Sequence, residues 1–160
     1  MSPAQWGPPT WILLHAIAEK INESFFPEIS VQLFQIISQI CKNLPCPECA
    51  EHATQFLNSV KMNTIQTKQN FKMMLFTFHN KVNFQKKKPM FDVAGLEKYR
   101  TVNLHVAFTI FVREYTKQQG NFKLMTDASI RKRVVQTTAN WFNQNYSKFN
   151  TCGMLAEKLI

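Results

Sequence analysis

Glycine is scarce: the 160 residues contain four. Alternation of polar and apolar residues is absent over any useful length, so no strand is expected. No apolar run approaches the roughly 20 residues that a membrane span needs; the longest, such as Trp11 to Leu14, are a fraction of that. Acidic residues are also few, ten against nineteen Lys and Arg, which leaves a net charge of +9. Four cysteines in a chain of this length make no disulfide scaffold. No internal repeat is visible. These shortages exclude an all-β fold, a helical membrane protein and a small disulfide-stapled domain.

What remains is apolar and helical. Hydrophobic residues make up 45% of the chain, with 14 Phe, enough to bury a single core. The positive charge is scattered apart from Lys86-Lys87-Lys88 and Arg131-Lys132-Arg133. No nucleic-acid motif accompanies it, so nucleic acid is not an expected partner. The first residues carry Pro, Gln and Gly ahead of an amphipathic stretch, and no secretory signal is expected.

Periodicity divides the chain into six helices. Thr10 is the expected cap of the first, with Trp11, Leu14, His15, Ala18 and Ile21 on one face and Pro27 as its close. Ser30 is the expected cap of the second, with Val31, Phe34, Ile37, Cys41 and Leu44 as its stripe and Pro45 as its end. The third starts at Cys46-Pro47-Glu48-Cys49 and runs through Ala53, Phe56, Leu57 and Val60; residues 63–67 form a loop. The fourth runs from Lys68 to Phe84, buried through Phe71, Met74, Leu75, Phe78 and Val82, and leads into a basic connection, 86–89. Asp92 is the expected cap of a long fifth helix from Val93 to about Gln118, striped by Leu96, Tyr99, Val102, Val106, Ile110 and Val112 and stopped at Gly120. Asp127 opens the sixth, through Ile130, Val134, Val135, Trp141 and Phe142. The predicted fold is all-α, a helical bundle followed by extra helices.

Four short motifs carry chemistry. In Cys46-Pro47-Glu48-Cys49 two thiols share one side of a first helical turn, where the helix N-terminus favours a thiolate. That pattern suits dithiol/disulfide exchange, a structural disulfide, or half of a zinc site completed by His52 and one further His. Thioredoxin-like use is disfavoured, since that motif follows a strand. Trp11 and His15 stand four apart, on one helical face. Such a pair is a core Trp beside a satisfied His, or the lining of a planar ligand. His79, Asn80 and Asn83 would lie along the edge of an otherwise apolar helix, either as an exposed helix end or as partners of a large polar ligand. Lys86-Lys87-Lys88-Pro89 is a solvated loop or a phosphate anchor.

Taken together, these motifs resemble the Erv/ALR family of FAD-linked sulfhydryl oxidases. The matching text is Trp6-Gly7 with Trp11-x-x-Leu14-His15, then Cys46-x-x-Cys49-x-x-His52, then His79-Asn80-x-Val82-Asn83, then Lys88-Pro89-x-Phe91, in the family's order over about residues 6–100. The resemblance implies a four-helix bundle around FAD with a short fifth helix. It implies Cys46 and Cys49 as the catalytic pair, Cys46 facing substrate and Cys49 facing the flavin. Gly7, Trp11, His15, Cys49, His52, His79, Asn80, Val82, Asn83, Lys88 and Tyr99 become the expected cofactor-binding residues, with no metal; Tyr99 stands where many members have Trp. The implied partners are thiol-containing protein substrates, oxygen as electron acceptor and a second copy in a homodimer. The short forms of large DNA viruses are the most similar, which implies the host cytoplasm or a virion.

Two departures from the family stand out. No second CxxC or CxC is present to act as a shuttle; Cys41 and Cys152 are expected as unpaired structural cysteines, a pair with each other or across a dimer being the alternative. Residues 1–100 would form the family core, and 101–160 a C-terminal extension that packs on it or forms the dimer interface. Against the enzyme stand a non-catalytic module that keeps the fold and a zinc-stabilised module using Cys46, Cys49 and His52.

Overall fold

The computed structural model describes residues 2–117 and 122–150, with side chains from 127 onward in the second stretch. The helices are α1 (Pro3–Lys20), α2 (Phe26–Lys42), α3 (Pro47–Ser59), α4 (Lys68–Gln85), α5 (Leu104–Tyr115) and α6 (Phe122–Asn145). Among the described residues there is no strand, only one isolated antiparallel bridge between Ile21 and Phe149.

α1 starts earlier than Thr10. Ser2 caps it by accepting from the Ala4 amide at 3.3 Å, and Pro3 occupies the first turn. Pro8 and Pro9 lie inside the helix. Each removes one bond to the carbonyl four residues back, and those carbonyls belong to Ala4 and Gln5, which are exposed and reach water. Thr10 is no cap: its hydroxyl donates back to the Trp6 carbonyl at 2.7 Å. Pro27 likewise opens a helix instead of closing one, at the start of α2. Ser30 is then inside α2, and the buried stripe is Ile29, Leu33, Ile36, Ile37, Ile40 and Cys41. Val31, expected on that stripe, is 54% exposed.

The next two helices follow their sequence signals. Cys46 caps α3 with Pro47 behind it. Thr67 and Asn70 form a reciprocal capping box at the head of α4. Lys87 leaves α4 in the left-handed region at φ 52°. Asp92 then caps a 3-10 helix, Val93–Thr101, by accepting from the Ala94 amide. The predicted long fifth helix is therefore two elements. Asn103 accepts from the Val106 amide at 3.0 Å and starts α5 afresh. The face of α5 is also rotated from the expected one: Leu104, Ala107, Phe108, Phe111 and Tyr115 are buried, whereas Val106 and Ile110 are exposed. The Gly120 stop and Cys152 lie outside the described residues.

α1 is the hub. It packs most extensively on α5 and also on α4 and the 3-10 helix, while α2 packs on α3 and α6. One apolar cluster runs unbroken from Leu13 and Ile17 through Leu33, Phe71 and Leu75 to Phe108, Phe111 and Phe142. Polar ties fasten the extension. Tyr115 Oη donates to the Ile40 carbonyl at 2.8 Å, Trp141 Nε1 to Gln32 Oε1 at 2.8 Å, and Lys148 pairs with Glu28 at 2.6 Å. The extension is thus part of the hydrophobic core in one chain.

Candidate functional site

At one end of the site Cys46 and Cys49 are joined as a disulfide with Cα atoms 5.1 Å apart. Helix capping places them. Cys46 is the N-cap, and its Sγ accepts from the Cys49 amide at 3.2 Å. When the pair is reduced, that amide and the helix dipole both favour a Cys46 thiolate. The two sulfurs hold each other, and among the described residues no three His, Cys, Asp or Glu side chains converge as a metal site would require.

The α3 face behind Cys49 leads inward. Cys49, Ala53 and Phe56 recur at i, i+4 and i+7, spanning about 10 Å of helix. Phe56 stacks on Phe78 of α4 at 4.6 Å. Phe78 meets Trp11 edge-on at 5.1 Å, and Trp11 stacks on His79 at 4.0 Å with the planes 6° apart. His15 lies 4.8 Å from the Tyr99 ring, and His79 lies 5.2 Å from Phe91. An aromatic run therefore links the disulfide-bearing helix to a slab of flat rings drawn from α1, α4 and the 3-10 helix.

The two imidazoles in the slab meet directly: His15 Nε2 and His79 Nδ1 are 3.0 Å apart, one donating to the other. Both are held neutral. His15 is lowered to about 3 by burial, then by His79 and Lys98. His79 is lowered to about 4 by burial, then by Lys98 and Lys88. Burial also raises the Tyr99 hydroxyl, which stays protonated.

Trp11, His15, His79 and Tyr99 come together as the sequence leads one to expect. Asn80 has another task. Its amide donates to the Phe91 carbonyl at 2.9 Å and its oxygen accepts from the Phe91 amide at 2.7 Å. This clasp pins the ring-bearing segment to α4. Asn83 is half-buried and its carbonyl accepts from the Lys88 amide at 2.9 Å, while Val82 is half-buried beside the core. His52 is half-buried one turn past Cys49. Lys88 is exposed. Three further participants stand out, of which Gly95 and Lys98 were not singled out from sequence. Phe91 is the ring held by the clasp. Gly95 is required by it, since a Cβ there would meet the Phe91 ring at 2.7 Å. Lys98 lies 5.0 Å over Phe91 and 5.1 Å over Tyr99. The Lys-Pro-x-Phe text marked Phe91; Lys98 and Gly95 carried no motif.

The donor set suits a large ligand with a flat ring and an anionic part. Rings supply stacking surfaces, and neutral imidazoles supply one donor and one acceptor each. Trp6 Nε1, on α1 ahead of Trp11, is buried and has no hydrogen-bond partner. A Cβ built on the neighbouring Gly7 would meet nothing within 4 Å, so this side of α1 is open. Between Glu51 and Asp92 the chain has seven lysines and no acidic residue, a balance that favours a bound anion.

The profile of the Erv1/Alr family matches residues 8–101, which takes in the disulfide, the ring slab and the clasp. The chain is 28% identical over 104 residues to a putative FAD-linked sulfhydryl oxidase of Invertebrate iridescent virus 3, covering 62% of this chain and 69% of the relative. It is 31% identical over 78 residues to an FAD-linked sulfhydryl oxidase of African swine fever virus, covering 49% of this chain and 65% of the relative. A relative of the same designation in Oryza sativa subsp. japonica is 33% identical over 87 residues, covering 53% of this chain and 43% of the relative. No solved structure matches the chain.

Proposed function

The chain belongs to the Erv1/Alr family, and from that premise we propose that it is an FAD-dependent thiol oxidase that introduces disulfides into protein substrates. The observation that carries this is the aromatic run from Phe56, two turns along α3 from the Cys46–Cys49 disulfide, to the Trp11/His79 stack. It joins a group that exchanges electrons with thiols to a slab suited to a flavin.

A substrate thiolate attacks Cys46 Sγ. The Cys46–Cys49 bond breaks and Cys49 leaves as a thiolate, on the face that continues into Phe56. The second substrate thiolate attacks its own sulfur in the mixed disulfide and releases Cys46. The substrate leaves as a disulfide, and the pair holds two electrons. The amide of Cys49 stabilises the departing Cys46 thiolate, as it already donates to that sulfur at 3.2 Å. When bound, FAD supplies the two-electron acceptor for the reduced pair and passes the electrons on; dioxygen is the proposed acceptor and hydrogen peroxide the product.

The chain's own residues do the holding. Trp11, His79, His15 and Tyr99 give the ring surfaces and neutral hydrogen-bonding edges for the cofactor. Lys88 and Lys98 offer charge to its phosphates, Gly7 leaves room, and His52, Val82 and Asn83 complete the lining. Asn80 acts through Phe91. Residues 101–160 complete the core; we further propose a homodimer, supported by the exposed Ile12, Val106 and Ile110 on the packed pair α1 and α5. The viral relatives support action in a host cytoplasm or a virion. Among the described residues no helix is long and apolar enough to cross a membrane.

The decisive experiment is to purify the chain, read its visible spectrum and add dithiothreitol in air. A flavin spectrum with peroxide formed in step with thiol loss supports the proposal. Colourless protein containing zinc would replace it with the zinc-stabilised module, and yellow protein without turnover would replace it with a non-catalytic one. Sedimentation at micromolar concentration showing only a monomer would remove the dimer.

A further inference from the structure

One well-formed cleft lies away from the ring slab. It has a volume of about 540 Å³ and lies between the loop that carries Cys46, the first turns of α3, and α6. Its apolar lining on this side is Leu44, Pro45, Pro47 and Ala50. Pro45 and Pro47 bracket the attacked cysteine, so a thiol approaching Cys46 from this side passes over the cleft. The far wall is α6, through Asp127, Ile130 and Arg131. None of those three lies within the family match at 8–101.

That wall is held rigidly. Arg131 is buried, and its Nε donates to the Tyr115 carbonyl at 2.8 Å, at the C-terminus of α5 where a cation is favoured. Ile130, beside it, is 41% exposed, a large apolar side chain left open. The lining carries two cations and two anions, Lys42 and Arg131, Glu51 and Asp127, together with the neutral Asn43, Thr54 and Gln55. A charge-balanced lining with apolar residues on both sides does not select a strongly charged peptide. It suits a cysteine with apolar neighbours, the surroundings that cysteines have in folded interiors and expose when the protein is reduced and unfolded.

We propose that this cleft docks the cysteine-bearing segment of a reduced, unfolded protein, and that Ile130 on α6 is a specificity-determining contact supplied by the C-terminal extension. The inference rests on the thiol-oxidase reading for its substrate but concerns residues outside the redox and cofactor machinery. Docking breaks and forms no bond; it sets the substrate sulfur beside Cys46 for the exchange already described.

Two measurements test it. The first compares oxygen uptake on reduced ribonuclease A and on dithiothreitol for the wild type, Ile130→Asp and Arg133→Asp, the last being an exposed change on the same helix that does not line the cleft. The expected result is that Ile130→Asp raises KM for reduced ribonuclease A about tenfold, the loss that one apolar contact produces in specificity. Its rate on dithiothreitol and its flavin spectrum stay unchanged, and Arg133→Asp behaves as the wild type. Equal KM values for the three proteins, or an equal loss in Arg133→Asp, would overturn the proposal. The second measures amide hydrogen exchange with reduced, alkylated ribonuclease A, which docks without reacting. Protection at 50–55 and 127–131 is expected, and its absence overturns the docking site. This second measurement needs no turnover, so a wild type that binds but oxidises neither thiol would sink the oxidase reading alone.

Discussion

His15 on α1 and His79 on α4 share one proton-bearing edge at 3.0 Å, and neither carries charge at neutral pH. An unfolded histidine titrates near 6.5, whereas these two have native values of about 3 and about 4. Between those limits the unfolded chain binds more protons than the native one, so stability falls as the pH falls. We expect the melting temperature of the cofactor-free protein to be flat in this respect above pH 7 and to drop between pH 6.5 and 4. Lys98→Ala removes a cation that depresses both rings and should make the drop shallower; melting curves at half-unit steps check it.

The clasp between Asn80 and Phe91 should be worth about 2 kcal/mol, from two hydrogen bonds of roughly 1 kcal/mol each. Asn80→Ala is expected to lose that much in urea unfolding. It should also shed flavin on gel filtration, because the Phe91 segment no longer has a fixed seat against α4. An unchanged flavin content would leave the clasp a purely structural device.

Cys49→Ser should abolish dithiol turnover and keep the flavin spectrum, since Cys49 faces the ring run without holding it in place. Cys46→Ser should do the same by removing the sulfur that substrate attacks. Turnover of dithiothreitol at the wild-type rate in Cys49→Ser would refute the assigned order of transfer.

Glu48 lies in the first turn of α3, exposed, between the two cysteines. A carboxylate there interacts with the helix end by about 0.3–1 kcal/mol and disfavours a neighbouring thiolate. Glu48→Gln should stabilise the reduced pair, raising its potential by roughly 6–20 mV. Equilibration in glutathione buffers reads the shift, and a lower potential would contradict it.

Tyr115→Phe probes the tie between α5 and α2. It removes one of two donors to the Ile40 carbonyl, the Asn43 amide at 3.2 Å remaining, at a cost of about 0.5–1.5 kcal/mol. Flavin content should stay unchanged. A variant as stable as the wild type would mean that the Asn43 amide alone satisfies the carbonyl.

How much of this was legible in the sequence follows from what decides each feature. Cys46-Pro47 and Thr67-Asn70 start helices by local capping chemistry, and α3 and α4 lie where that chemistry puts them. Proline is less transparent. Pro27 reads as a stop yet opens α2, and Pro8 and Pro9, which precede the expected cap, lie inside α1. α5 defeats periodicity, because Val106 and Ile110 are spaced as regularly as Leu104, Phe108 and Phe111. Packing on α1 selects the second set, and no single helix carries that information. The slab was legible as Trp11, His15, His79 and Tyr99. The role of Asn80 was not, since its partner is a backbone eleven residues away.

The hub position of α1 has a consequence during synthesis. α1 ends at Lys20 and its main partner begins at Leu104, so 83 residues separate them. At about 5–20 residues per second of translation, roughly 4–17 s pass before α5 exists. Over that interval Leu13, Ile17 and the ring-bearing face of α1 emerge without the surface that buries them. The ring slab, drawn from α1, α4 and the 3-10 helix, can therefore assemble before the extension that completes the apolar core has been made.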